Sequence, residues 1–211
     1  MTEEKKAALA GETAADEQKL QKERKTIDAL TDFSNMYDFK KDSNHEYKTE
    51  AGLTPDVVRE ISAKKDEPQW MLDARLKSLD LYYQIPYPVW GPDISGLDMA
   101  NIVTYVRPNA RMGANWNDLP EDIKDTFERL GIPQAERKSL SGVGAQYDSE
   151  AVNHSIQDEL VQQGVIYTDF DTAVKKYEDI VRKHFMKLIP PTDHKFAALH
   201  GAVWSGGSFV Y

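Results

Sequence analysis

Apolar side chains recur along this chain at spacings that name its elements. In "GLTPDVVREISAKKDEPQWMLDARLKSLDLYYQIPYP", Thr54 is a good N-cap and Pro55 suits a first helical position, where its missing N–H costs nothing. Val57, Val58 and Ile61 give the helix that follows one apolar face, and Pro68 ends or restarts it. A second helix carries Leu72, Leu76, Leu79 and Tyr83 and stops before Pro86 and Pro88. Residues 86–100, rich in Pro, Gly and Asp, read as a loop. In "NIVTYVRP" the β-formers Ile102, Val103, Tyr105 and Val106 predict a strand ending at Pro108.

The pattern then turns helical again. In "NDLPEDIKDTFERLGIP", Asp118 and Glu121 form a capping-box pair, Ile123, Phe127 and Leu130 line one face, and Gly131 supplies the stop. Residues 135–148 read as extended, with a turn near Gly142 and Gly144. Val152, Ile156 and Leu160 lie four apart and predict a helix closed by Gly164, followed by a short strand in "VIYT". Asp169 or Asp171 caps a helix with Val174, Tyr177, Val181, Phe185 and Leu188, which Pro190 and Pro191 end. A last helix, Phe196 to Val203, leads through Gly206 and Gly207 to the β-favouring Phe209, Val210 and Tyr211, with no later strand for them to pair with. Helices dominate and strands are few and separated, so the expected class is α+β.

Composition changes the picture at one end. Of the first 50 residues, 21 are Asp, Glu, Lys or Arg, too many for the few apolar groups there to offset ordering entropy. Residues 1–50 therefore read as a mostly disordered charged arm, with some helical tendency around Leu20, Ile27 and Leu30. The remainder divides into 51–190, an α+β domain, and 191–211, a helix and strand. A formal net charge of −9 argues against nucleic acid and anionic membrane as partners. The start has no apolar signal region and no window suits a membrane span, so the default location is the cytoplasm.

With no cysteine, these residues hold no disulfide, thiolate zinc site or thiol nucleophile. In "LSGVGAQYDS" the third glycine of a dinucleotide fingerprint would fall on Tyr147, so turn glycines are the better reading. "GAVWSGG" has Val203 where a nucleophile elbow needs glycine, which leaves Ser205 a turn residue. His45, His154, His184, His194 and His200 match no metal-ligand spacing. Glu121, Asp122 and Asp125 sit in a first helical turn, where the helix dipole favours acids without any catalysis. Trp70, Trp90, Trp116 and Trp204, lacking a basic stripe, read as core or interface anchors. The expected site therefore contains no catalytic, cofactor-binding or metal residue.

Three stretches nonetheless carry a family signature: "GLTPDVVREISAKKDEPQWMLDARLKSL" (52–79), "GIPQAERKSLSGVGAQYDSE" (131–150) and "KLIPPTDHKFAALHGAVWSGGSFVY" (187–211). They closely resemble the amino-terminal part of the SufB-type scaffolds of SUF iron–sulfur cluster assembly, and "YDFKKDSNHEYKTEAGLT" resembles the lead-in of Gram-positive members. The likeness runs over roughly residues 36–211.

It implies a non-enzymatic assembly scaffold and makes Phe209 to Tyr211 the first strand of a truncated right-handed β-helix. An isolated rung of that kind would leave an exposed apolar edge near residues 196–211. Implied partners are the SufC ATPase and SufD, mainly through a carboxyl-terminal part beyond these residues, and a cysteine desulfurase or sulfur-transfer protein. An iron–sulfur cluster, with or without a reduced flavin, is implied for the full-length complex only. Cysteines that some family members carry in a loop corresponding to the vicinity of Asn101–Asn117 are absent here, where the sequence reads "NIVTYVRPNARMGANWN". Trp70 and Tyr83 are expected to be buried, and the nearby charges Arg75 and Lys77 to be exposed where a sulfur donor could dock. An independent binding domain or small hydrolase sharing only the helical region is the competing reading.

Overall fold

The computed structural model describes residues 45–109, 119–129 and 142–211. Apart from Arg129, these belong to one compact unit, Ser43–Glu128 with Ile132–Tyr211. The expectations for Trp116, Asp118, Leu130, Gly131 and most of the charged arm lie outside the described residues.

The architecture is α+β, with three two-stranded antiparallel sheets among the described residues. Strand β1 (His45–Lys48) pairs with β2 (Val106–Pro108), so the last residues assigned to the arm join a sheet. Helix α1 (Pro55–Lys64) starts as its sequence dictates, with the Thr54 hydroxyl accepting from the Val57 N–H at 3.2 Å. Helix α2 (Gln69–Gln84) follows, then α3 (Glu121–Arg129). The hairpin β3 (Gly142–Tyr147) and β4 (Glu150–Ile156) leads to the short α4 (Asp158–Gln162). Strand β5 (Tyr167–Asp169) enters α5 (Phe170–Lys176) and α6 (Glu178–His184). Helix α7 (Lys195–Val203) and strand β6 (Ser208–Val210) complete the order.

Two of the four buried clusters among the described residues join the helices and β6. Leu53, Val58, Leu79, Tyr82, Ala198 and Ala202 join α1, α2 and α7. Met71, Val174, Val181, Trp204 and Phe209 join α2 to α5, α6 and β6. Fully burying a side chain such as Ile61, Met71 or Leu79 contributes about 1.5–3 kcal/mol each. Helices α2 and α7 cross closely at Gly201: a Cβ there would lie 2.8 Å from Ser78 Cβ and also strike Ser78 Oγ.

Several expectations need correction. The helix predicted across Val152 and Ile156 is strand β4, and only Asp158–Gln162 turns helical. A spacing of four is also a multiple of two, so those residues share a strand face as readily as a helix face. Gly142 and Gly144 lie inside β3 and form no turn. A Cβ on Gly142 would meet the Tyr167 ring at 2.9 Å, and one on Gly144 would meet the His154 ring at 2.8 Å. The glycines make room for two rings, and the hairpin turns instead at Asp148, whose φ is 50°.

The predicted strand through Ile102 is shorter: Val103 makes one isolated bridge to Ala51, and regular pairing starts at Val106. On α2 the inward face is Met71, Arg75, Ser78, Leu79 and Tyr82, which leaves Tyr83 mostly exposed. The long helix expected after Asp169 breaks at Tyr177 (φ −126°, ψ 39°), whose ring stacks on Phe209 at 5.4 Å, and Leu188 stands in solvent. Of the two candidate caps, Asp169 accepts from the Thr172 N–H at 2.8 Å.

The terminal strand does have a partner. Gly206 and Gly207, with φ of 69° and 112°, reverse the chain so that β6 pairs antiparallel with β5, Phe209 facing Thr168. Phe209 is buried, while Val210 and Tyr211 stay largely exposed.

Candidate functional site

Buried cations organise the unit, and each fastens segments far apart in sequence. Arg75, with no exposed surface, reaches Glu67 through Nε at 2.8 Å and Nη2 at 2.6 Å. Nη1 donates to the Ala202 carbonyl at 3.1 Å and Nη2 to that of Trp204 at 3.0 Å, and the guanidinium lies 4.5 Å from the Trp204 ring centre. The planar fork thus satisfies one carboxylate and the end of α7 together. The expectation that Arg75 is an exposed docking charge is corrected: its position four residues after Met71 and four before Leu79 puts it on the core face of α2.

Lys65 is the second buried cation, bonded to Asp171 at 2.9 Å and Glu150 at 3.4 Å. The Tyr105 hydroxyl donates to Glu150, whose carboxylate also lies 3.8 Å from Arg107 Nε. The cluster ties α1 to β2, β4 and α5. Burial pushes the Asp171 carboxyl above its ordinary value against the pull of Lys65. Burial, followed by the Glu150 contact, raises the Tyr105 phenol. Lys195, the third, donates to the carbonyls of Tyr82 at 2.6 Å and Ile85 at 3.0 Å, capping α2, with the Tyr82 and Tyr87 rings 4.2 and 4.7 Å away.

None of these three cations was singled out as buried by sequence reasoning. The only available signal was register, a cation spaced among core residues, and it is visible for Arg75 alone.

The histidines are dispersed, and among the described residues no three His, Asp or Glu side chains are arranged to hold a metal. His45 lies in β1; His154 in β4 meets Ser208 Oγ at 3.2 Å. His194 caps α7, its Nδ1 accepting from Phe196 and Ala197. Glu121 pairs with Lys124 at 3.6 Å in the first turn of α3, and Asp125 is exposed; the Asp122 side chain is outside the described set. Trp204 is core, Trp70 is half-buried against Phe185, and Trp90 is mainly exposed beside His194. Among the described residues, no helix is long and apolar enough to cross a membrane.

His154 and His200 predict a pH response. Burial lowers both below the ordinary 6.5, opposed at His154 by Asp169 and reinforced at His200 by Arg75. An unfolded chain then takes up these protons before the folded one. Their stabilisation is complete above about 6.5 and is lost as pH falls through that value toward the folded-state pKa values. Asp171, shifted upward, contributes with the opposite sign at lower pH. His154→Gln with His200→Gln should flatten the fall in urea midpoint between about pH 7.5 and about pH 5.5. An undiminished slope would contradict this assignment.

What the described residues offer a partner is a surface. Two adjoining grooves share Phe185, Met186 and Lys187: one of about 520 Å³ runs between the α6–α7 connection and α7, the other of about 370 Å³ between that connection and α2. Lys77, the other charge expected to face a donor, is exposed and lines the second.

This surface belongs to a chain whose relatives are iron–sulfur cluster assembly proteins, SufB and members of the SufBD family, in agreement with the resemblance carried by the three motif stretches. The chain is 54% identical over 165 residues to SufB of Bacillus subtilis strain 168, a match covering 78% of this chain and 36% of that protein. It is 50% identical over 175 residues to SufBD family proteins of Staphylococcus aureus strains USA300 and NCTC 8325, covering 83% of this chain and 38% of theirs. It thus spans little more than a third of the length of these relatives. No family model matches the chain.

Proposed function

We propose that this chain serves iron–sulfur cluster assembly as a scaffold component, in the cytoplasm and without turnover of its own. The observation that carries the reading is the 54% identity to SufB over 165 residues. In this reading it works with a SufC-type ATPase and a SufD-type paralogue and receives sulfur that a cysteine desulfurase mobilises. The cluster is cargo. Its sulfur is handled by groups outside these 211 residues, which contain no cysteine. Strand β6 would be the first strand of a right-handed β-helix, with α2 and α7 clamping the base on which it starts.

The test is a graft. The matching segment of Bacillus subtilis SufB is replaced by this chain's residues, and cluster formation is followed by visible absorbance with SufC, SufD and a cysteine desulfurase present. Assembly within severalfold of the parent is expected. A graft that folds and joins its partners yet builds no cluster would overturn the scaffold role.

A further inference from the structure

The grooves beside α6 and α7 contrast with the acidity of the sequence. The formal net charge is −9, yet neither groove is lined by any Asp or Glu. The lining cations are Lys77, Arg182 and Lys187, joined by His184, His194 and His200. Arg182 is engaged by Glu178 at 3.1 Å, and Asp193 comes within 3.8 Å of His194, but neither acid lines a groove. Lys77 and Lys187 form no ion pair among the described residues.

Between these charges the walls are apolar. Trp70, Phe185, Met186 and Phe196 form the interior, and Leu188 and Ile189 project at the rim, 98% and 66% exposed. Met186 sits at φ 53°, a left-handed residue that turns the chain out of α6, and Pro190 and Pro191 stiffen the next wall. Two adjacent rim hydrophobes held in water, above an apolar trough with uncompensated cations on both sides, mark an interaction surface rather than chance exposure.

We infer that these two adjoining grooves together form a docking site for an acidic amphipathic peptide segment of a partner protein, its apolar anchors against Trp70, Phe185 and Phe196 and its carboxylates on Lys77 and Lys187. Charge complementarity selects that occupant. A basic segment would meet Lys77 and Lys187 with no acid lining, and a purely apolar one would leave both lysines unanswered. The inference stands apart from the scaffold reading, since it concerns a surface and not the cluster.

The probe is a fluorescein-labelled helical peptide with Leu and Phe at i, i+4 and i+7 and Asp and Glu elsewhere, titrated into the 211-residue chain by fluorescence anisotropy. Saturable binding is expected, absent for the same peptide with Lys at every acidic position. Lys77→Glu with Lys187→Glu should weaken it by about tenfold or more. Lys48→Glu with Lys176→Glu, which changes net charge equally at exposed sites elsewhere, should leave it within about twofold. Circular dichroism melts confirm that both double variants fold. Equal binding of the acidic and basic peptides, equal weakening by the two double variants, or no saturable binding would overturn the inference. So would self-association in sedimentation that Leu188→Asp abolishes, because the groove would then be filled by a second copy.

Discussion

Arg75→Met is expected to destabilise the fold by about 3–5 kcal/mol, the largest single effect in the molecule. The substitution leaves the Glu67 carboxylate, 2% exposed at its side chain, without the fork that satisfies both of its oxygens. It also orphans the carbonyls of Ala202 and Trp204 at the end of α7. Buried acceptors without donors cost more than the bonds contributed net, because desolvation is no longer offset. Glu67→Leu alone should also be costly, since it strands the guanidinium. The double change Arg75→Met with Glu67→Leu should recover a large part of the loss, because a packed apolar pair can replace a buried ion pair. Urea denaturation of all four proteins checks this. A single Arg75→Met variant within about 1 kcal/mol of wild type would refute the assigned role.

Gly201→Ala is the second. Alanine ordinarily stabilises a helix interior by about 1 kcal/mol over glycine, so local propensity points to a gain. The crossing with α2 decides otherwise. The new Cβ would stand 2.8 Å from Ser78 Cβ, which the α2 backbone holds in place, and 3.2 Å from Met186 Cε, which can yield. Separating the helices loosens the core shared by Leu79, Ala198 and Ala202, and overpacking of this kind costs about 1–3 kcal/mol. A net loss is expected, with Gly201→Val worse. In a Ser78→Gly background the same change should be far less harmful, giving a clear coupling in a double-mutant cycle by urea denaturation. A stabilised Gly201→Ala protein would show that the helices part freely.

Much of the fold was legible because local chemistry and packing agree there. Thr54 and Pro55 start α1 where expected, Pro68 separates α1 from α2, and Asp169 caps α5. The misreadings arose where one pattern serves two geometries. Val152 and Ile156 satisfy both periods, and their partner strand contains glycines that resemble a turn until the rings of His154 and Tyr167 are seen above them. Tyr177 breaks a helix with no proline or glycine to announce it, in register for its ring to stack on Phe209. The candidate surface is half visible in the sequence: Lys77 stands out there, but Lys187 and Pro190 adjoin it only after the chain turns at Met186.

Lys195 carries a consequence for how the molecule comes into being. Its acceptors are the carbonyls of Tyr82 and Ile85, 113 and 110 positions earlier. At ribosomal rates of about 5–20 residues per second, the foot of α2 is synthesised roughly 6–23 seconds before its ammonium cap. Through that interval those carbonyls and the flanking tyrosine rings lack their cation. Helix α2 is therefore completed by a side chain made more than a hundred residues after it.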